Sequence, residues 1–491
     1  MRGVLLVTMC AVGGCSSSQP CNAQTCSWGC CTADGVCQAC SAGGGAGGGS
    51  AGGTGGGTAG SLGGGGGGGA ALKNAFFPDG SPEATNGTTP EVAIDSMGQV
   101  HYVYFGFTGN GQGYPVRYGL CPSNCKDPSR WSFVTVTDAG LFGSEVRLAL
   151  DANGHPRITF QYAVGTSGGE VRYAACDANC AQSASSWTVG TAHPFISGGN
   201  TYTHGRHNFA VDRNGRPHLI YASYEAGTNR TTYLTCSGNC VAGAAGWTST
   251  LLDGMHQLLA SVAVTPQGGV RAIFTGDGDM GNLLSYRQCD SGCDNIANWT
   301  ADQPLYFSNG GQSRIRVDSA GKIRIAWYQG QSGVAAGMSS DNQLLYGGCD
   351  SSCTNPMSWV GVTVGTGSMD GQDGLDMDID VSDTPAIAYR PVLGGLGLAL
   401  CTANCNSSPT WTLTTLETSD GIGAEVAPKL PVCTTTQNPN PAASWAPGVQ
   451  PSISVGGSTV VIGHAVQTLQ QCKPSGTIQQ GPQLARVHLL P

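Results

Sequence analysis

The sequence predicts an all-β chain whose body is a seven-bladed β-propeller closed by an N-terminal strand, and three observations predict it. First, a motif Tyr-x-x-Cys-x3-Cys-x5–6-Trp recurs roughly every 50 to 60 residues, a period that marks a repeat architecture. Its copies begin at Tyr118, Tyr173, Tyr233, Tyr286 and Tyr346, and a sixth, LALCTANCNSSPTW (398–411), has Leu398 in place of the tyrosine. Second, each copy follows two short apolar runs joined by an Asp-x-x-Gly type of turn, at Asp95, Asp151, Asp212, Thr265, Asp318 and Asp380. An aromatic stands nine residues after each of these, at Tyr104, Phe160, Tyr221, Phe274, Trp327 and Tyr389, which is the signature of a β-hairpin. Third, no segment shows helical periodicity of useful length. Four short strands in a repeat of this size make a propeller blade.

Before the blades come three shorter segments. Residues 1–15, MRGVLLVTMCAVGGC, carry one positive charge and an apolar run too short to span a membrane, which reads as a signal-peptide core. Val12-Gly13-Gly14-Cys15 resembles the lipobox of bacterial lipoproteins. That resemblance implies a lipidated Cys15 at the mature N-terminus, with Ser16 favouring transfer to an outer membrane; ordinary signal cleavage nearby is the alternative. Residues 16–40 hold Cys21, Cys26, Cys30, Cys31, Cys37 and Cys40, in a stretch too short to bury a core without cross-links. The order resembles an inhibitor cystine knot with shortened loops. Six cysteines allow fifteen pairings, and zinc is the rival reading of the same thiols. Residues 41–71 are almost wholly Gly, Ala, Ser and Thr, a flexible tether with a root-mean-square reach of roughly 30 Å.

Residues 72–491 form the propeller. Within a blade, strand a (VRLAL in the second repeat) leads through the Asp turn to strand b (PRITFQY), then to strand c (EVRYAAC) and, after the cysteine turn, to strand d at the tryptophan. Six full repeats run from Glu91 to about Leu416. PSISV (451–455), STVVIGHAVQTL (458–469) and QLARVHLL (483–490) supply strands a, b and c of a seventh. The missing strand d is available in ALKNAFFPDGS (71–81), and closing the ring with it removes an exposed sheet edge.

This region resembles the sialidase-like, or BNR-repeat, propellers, in which an Asp-box turn joins strands c and d ahead of a tryptophan. Trp131, Trp187, Trp247, Trp299, Trp359 and Trp411 occupy that place, but Cys-x3-Cys stands where the Asp-box would be. The resemblance implies that each pair is a disulfide doing the work of the Asp-box hydrogen bonds: Cys121–Cys125, Cys176–Cys180, Cys236–Cys240, Cys289–Cys293, Cys349–Cys353 and Cys401–Cys405. Paired metal ligands are the alternative, disfavoured because the pairs lie on different blades. With Cys10 removed with the signal, Cys15 lipidated and six cysteines in the knot, the 22 cysteines leave only Cys433 and Cys472, expected to bond to each other.

In a propeller the d–a and b–c loops share the face around the axis, which is the expected ligand site. One position of strand a gives a polar column of Glu91, Arg147, Asn208, Ser261, Arg314, Asp376 and Ser452, suited to sugar hydroxyls or simply to solvated strand ends. The long loop 191–206 and its flank bring His193, Tyr202, His204 and His207 together; ligand contact, a metal site short of a ligand, and a plain loop all fit. Arg147, Tyr202, His204, His207, Arg314 and Asp376 are the expected ligand-binding residues, with no metal site assigned. Asp370, Asp373, Asp376, Asp378 and Asp380 could hold calcium, although they match no EF-hand and Asp378 can instead pair with Arg316. His101, Arg157, His218, Arg271 and Arg324 open strand b on the opposite face, within reach of the hairpin aspartates.

Composition narrows the function classes. A net charge of −9 with 11% charged residues speaks against nucleic acid as a partner, and the cysteine count points to an oxidising compartment. A sialidase needs an arginine triad, a tyrosine nucleophile and a glutamate beside it; no Arg-Ile-Pro motif stands near the first blade, and no catalytic residue is assigned. The expectation is a monomeric lipoprotein of the bacterial cell envelope, outer-membrane bound, periplasmic or on the cell surface. It would touch the membrane only through its lipid and bind an extracellular glycan or surface protein without cofactor, calcium excepted. The alternative is a glycan-cleaving enzyme, a glycoside hydrolase or polysaccharide lyase, using the same face.

Overall fold

The computed structural model describes residues 30–31, 37–38, 75–78, 88–106, 114–138, 144–163, 169–194, 200–202, 208–225, 228–253, 259–275, 283–307, 313–329, 342–367, 374–391, 394–405, 410–426, 445–468, 471–472, 478–479 and 483–491. The chain divides into two compact units, 1–67 and 68–491. In the first, Cys30–Cys31 pairs antiparallel with Cys37–Gln38; the expected lipid site at Cys15 and the knot pairing lie outside the described residues.

The second unit is a seven-bladed β-propeller. Blade 1 runs Thr88–Ile94, Val100–Phe105, Pro115–Cys121 and Ser132–Asp138 as strands a to d, paired in that order. Blade 2 (Ser144–Leu150 to Thr188–His193), blade 4 (Leu259–Val264 to Gln303–Phe307), blade 5 (Ser313–Val317 to Trp359–Gly367) and blade 6 (Leu375–Ile379 to Thr410–Glu417) repeat the meander. Blade 3 has Phe209–Val211 as strand a and carries an added strand, Asn200–Tyr202, on its strand b, Pro217–Glu225. Blade 7 consists of Trp445–Gly456, Thr459–Thr468 and Gln483–Leu490, completed by Ala75–Phe76, with Ala75 opposite His488 and Phe76 opposite Val487. The strands a of successive blades are neighbours all the way round, from blade 1 to blade 7 and back.

Local chemistry explains the hairpins. In five of the first six a–b turns the leading aspartate folds its carboxylate over the turn: Asp151 Oδ1 accepts from the Asn153 and His155 amides at 2.9 Å, as Asp95, Asp212, Asp318 and Asp380 do in their own turns. Three residues on, Gly98, Gly154, Gly215, Gly268 and Gly321 hold φ near +77° to +88°, a region that glycine enters freely. The basic column behaves as expected. Arg157 reaches Asp151 at 2.7 Å and Arg324 reaches Asp318 at 2.9 Å. His101 and His218 lie 3.6 Å from Asp95 and Asp212. Arg271, whose hairpin has Thr265 instead, turns to Asp290 at 2.7 Å.

All six Cys-x3-Cys pairs are disulfides. In blades 1 to 5 a single 3-10 turn, not anticipated from the sequence, follows and delivers the tryptophan. The Trp131, Trp187, Trp247, Trp299 and Trp359 Nε1–H groups donate to the carbonyl of their second cysteine at 2.8–3.0 Å. From blade 2 to blade 6 the indole packs edge-on against the motif tyrosine of the preceding blade: Tyr118 on Trp187, Tyr173 on Trp247, Tyr233 on Trp299, Tyr286 on Trp359 and Tyr346 on Trp411, at 5.0–5.3 Å. The repeat is thus wired between blades. That explains Leu398: the strand d of blade 7, Ala75–Phe76, has no tryptophan to receive a tyrosine from blade 6, and Leu398 packs instead with Ile453 and Ile462.

Candidate functional site

The polar column predicted from strand a is a ring around the propeller axis. Its seven members, Glu91, Arg147, Asn208, Ser261, Arg314, Asp376 and Ser452, are all buried, and the charged ones are two acids and two arginines. Burial of such groups requires partners, and the structure provides them across blade boundaries. Arg314 Nε lies 3.1 Å from Asp376 Oδ1, and Arg147 Nη1 lies 3.7 Å from Glu91 Oε1.

Three members, Ser261, Asp376 and Ser452, do a further job. The inner edge of each blade would leave strand-a amides without a ladder partner, an edge that has to be satisfied. Ser261 of blade 4 accepts the Ile315 N–H of blade 5 at 3.1 Å, Asp376 of blade 6 accepts the Ile453 N–H of blade 7 at 2.8 Å, and Ser452 of blade 7 accepts the Val92 N–H of blade 1 at 3.1 Å. Two residues further along, Asp378 takes the Val455 N–H at 2.9 Å and Ser454 the Ile94 N–H at 3.0 Å. Gln450 adds the Thr89 N–H at 2.8 Å, so the seam between blades 7 and 1 is fastened by three side chains in a row. Burial pushes the Asp376 carboxyl up from its ordinary range, while Arg316 and the Ile453 N–H act against that rise.

Each expected ligand-binding residue can now be placed. Arg147, Arg314 and Asp376 sit in this ring with their side chains engaged by neighbouring blades. Arg314 Nε also approaches the Met377 carbonyl at 3.4 Å. Tyr202 lies on the added strand of blade 3, its backbone opposite Ala222, and His204 and His207 lie outside the described residues. His193 ends strand d of blade 2, its ring 5.0 Å from that of Tyr221. The aspartates considered for calcium have separate duties among the described residues: Asp376 with Arg314, Asp378 with Arg316 at 2.9 Å, and Asp380 in its hairpin. Asp370 and Asp373, and the Cys433–Cys472 pairing, fall outside the described residues.

Sequence reasoning missed a second polar centre between blades 6 and 7. Glu417 ends strand d of blade 6 and is followed by a helix, Ser419–Val426, also unforeseen. His464 on strand b and Arg486 and His488 on strand c of blade 7 converge on its carboxylate, at 3.0, 2.8 and 3.6 Å. Burial raises the Glu417 carboxyl and the two imidazoles more than reverse it, so its pKa lies below the ordinary value. Burial lowers that of His488, and Glu417 opposes the shift. Arg486 also covers the Phe77 ring, 4.9 Å from its centroid.

No family model and no curated protein matches this chain. Among solved structures, a Hadza microbial sialidase aligns at a TM-score of 0.44 with 10% identity, covering 70% of this chain and 68% of that one. NanB sialidase from Streptococcus pneumoniae aligns at 0.41 with 11% identity over 84% and 70%. A polysaccharide lyase, ulvan lyase, aligns at 0.44 with 11% identity over 82% and 94%. At such identities and scores the likeness carries nothing about activity.

Proposed function

We propose that the chain is a lipid-anchored, extracytoplasmic propeller that binds an extracellular glycan or surface protein on the face bearing its d–a and b–c loops, without turning it over. One observation carries the reading. The a–b turns are five residues long in blades 1 to 6, whereas the b–c connections range from two residues in blade 3 to twelve in blade 5 and fourteen in blade 7. In an antiparallel meander the b–c and d–a connections leave from the same end of the sheet, so the variation gathers on one face. Variable loops on a rigid scaffold are where recognition usually resides. The ring beneath that face has its charges matched to one another and to backbone amides, which suits a platform better than a reaction centre.

Under this reading Tyr202, His204 and His207 offer stacking and hydrogen-bonding groups to the ligand, while Arg147, Arg314 and Asp376 hold the floor in shape. A glycan array run beside a hydrolysis assay on the same purified protein tests it. Capture of a glycan with no product is the expected result, and His207→Ala should weaken capture by about 1–3 kcal/mol through a partner left unpaired. Turnover of the captured glycan would make the protein a glycan-cleaving enzyme. The anchor is tested separately: palmitate labelling should be lost in Cys15→Ser, and equal labelling would refute lipidation at that cysteine.

A further inference from the structure

The centre between blades 6 and 7 has a geometry that an ion-pair network alone does not explain. Arg486 Nε forms an ion pair with Glu417 Oε1 at 2.8 Å without an aligned hydrogen bond, and its two Nη atoms donate to both oxygens of Glu425 on the helix at 2.9 and 2.5 Å. That leaves Glu417 Oε2 to the imidazoles, with His464 Nε2 at 3.0 Å and His488 Nε2 at 3.6 Å. All three atoms are shielded from solvent, yet none has an aligned hydrogen-bond partner among the described residues. At 3.0 Å, a missing hydrogen bond means that the in-plane direction of the His464 nitrogen runs past the carboxylate oxygen rather than toward it.

The three atoms lie within 4.8 Å of one another. A tetrahedral zinc ion with bonds of about 2.0–2.1 Å sets its ligand atoms about 3.3–3.4 Å apart, and the two carboxylate–imidazole separations bracket that value. The surroundings match the outer shell of such a site, where a ligating carboxylate is itself held by a second group and a ligating histidine gives its other N–H to a carbonyl. Arg486 holds Glu417. His464 Nδ1 lies 3.2 Å from the Ala465 carbonyl and 3.1 Å from the Gly448 N–H. The Gly448 N–H donates to Nδ1 in this structure; coordination of a metal through Nε2 exchanges that bond for the other tautomer, whose Nδ1–H the Ala465 carbonyl is placed to accept.

We infer that Glu417, His464 and His488 form a binding site for one divalent cation of the zinc class, with a fourth position for water or a ligand. The site joins strand d of blade 6 to strands b and c of blade 7, at the seam where Leu398 forgoes the tyrosine–tryptophan contact made between blades 1 to 6.

The test uses the full chain, stripped with a chelator and reloaded with Zn²⁺ or Co²⁺. Retention of one zinc per chain after dialysis is expected, with a rise in melting temperature. Co²⁺ should give the intense visible absorption of four-coordinate cobalt without thiolate charge-transfer bands. Glu417→Gln and His488→Gln should each weaken zinc binding at least a hundredfold. Three results would overturn the proposal: no retained metal, a weak octahedral cobalt spectrum, or thiolate bands that place the metal on the cysteines of residues 21–40. If the variants fail to fold, the wild-type cobalt spectrum still decides. Variants that fold and bind zinc as the wild type does also refute it.

Discussion

The carboxylate of Asp376 in blade 6 accepts the backbone N–H of Ile453 in blade 7 at 2.8 Å while its other oxygen takes the Met377 N–H at 2.7 Å. One side chain thus satisfies the inner edges of two blades and faces Arg314 at 3.1 Å. Asp376→Ala removes the acceptor for both amides and leaves a buried guanidinium without its carboxylate, a loss of about 3–5 kcal/mol for a broken buried pair. Asp376→Asn keeps one carbonyl acceptor and should cost less, about 1–3 kcal/mol. Urea unfolding of the two variants checks the order; equal stability with the wild type would mean that the ring does not fasten the blades.

Restoring the repeat consensus at position 398 should harm the protein. Leu398 is 3% exposed, among Ile453, Ile462 and Leu396, and the strand d of blade 7, Ala75–Phe76, carries no tryptophan. Leu398→Tyr is expected to lose about 1–3 kcal/mol through overpacking. By contrast, Tyr286→Leu in blade 4 should forfeit the aromatic contact with Trp359, worth about 0.5–1.5 kcal/mol beyond area burial. Chemical denaturation of both measures it, and a stabilised Leu398→Tyr would disprove the between-blade wiring.

Ala75–Phe76 supplies the outer strand of blade 7, and Phe76 lies 6.3 Å from the Trp131 ring of blade 1. Deleting 72–80 therefore exposes the edge of strand c and opens the seam. Aggregation and a large fall in melting temperature are expected, whereas deletion of 42–70 should leave melting unchanged. Similar behaviour of the two deletions would show that the strand does not close the ring.

Acid should loosen the fold through His101. Its Nδ1 meets the Tyr118 hydroxyl at 2.7 Å, and burial lowers its pKa below the ordinary 6.5, with Asp95 opposing the shift. Because the folded value is the lower one, the unfolded chain takes up the proton first as pH falls. The stability contribution is therefore complete above about 6.5 and is lost as pH drops through that value toward the folded one. Urea midpoints at pH 7.5 and 5.5 should fall less in His101→Asn than in the wild type, and an identical fall would remove His101 from the account.

The blades, their hairpins and the closing strand were legible in the sequence because repetition supplies its own alignment: an aromatic nine residues after each turn fixes strand b, and the cysteine turn fixes c and d. The seven ring residues could be picked out for the same reason. Their duty could not, because whether Ser452 faces a ligand or the Val92 amide depends on a neighbour some 360 residues away. Glu417, His464 and His488 were invisible for a related reason. Blade 7 lacks the repeat signature that would align its polar positions, and the helix Ser419–Val426 is too short, with Gly421 and Gly423 inside it, to announce itself.

The tyrosine of each motif serves the blade after it and the tryptophan serves the blade before it, so the unit of inheritance in this ring is a junction rather than a blade. Excising blade 3 whole would set Tyr173 against Trp299, and copying blade 4 would set Tyr286 against a second Trp299; either way every aromatic finds its counterpart. Gene-level gain or loss of interior blades is therefore chemically silent at these junctions. Blade 6 is the exception. A duplicate of it would bring Leu398 against Trp411, so growth of the ring has a permitted interior and a fixed terminus, written in a single leucine.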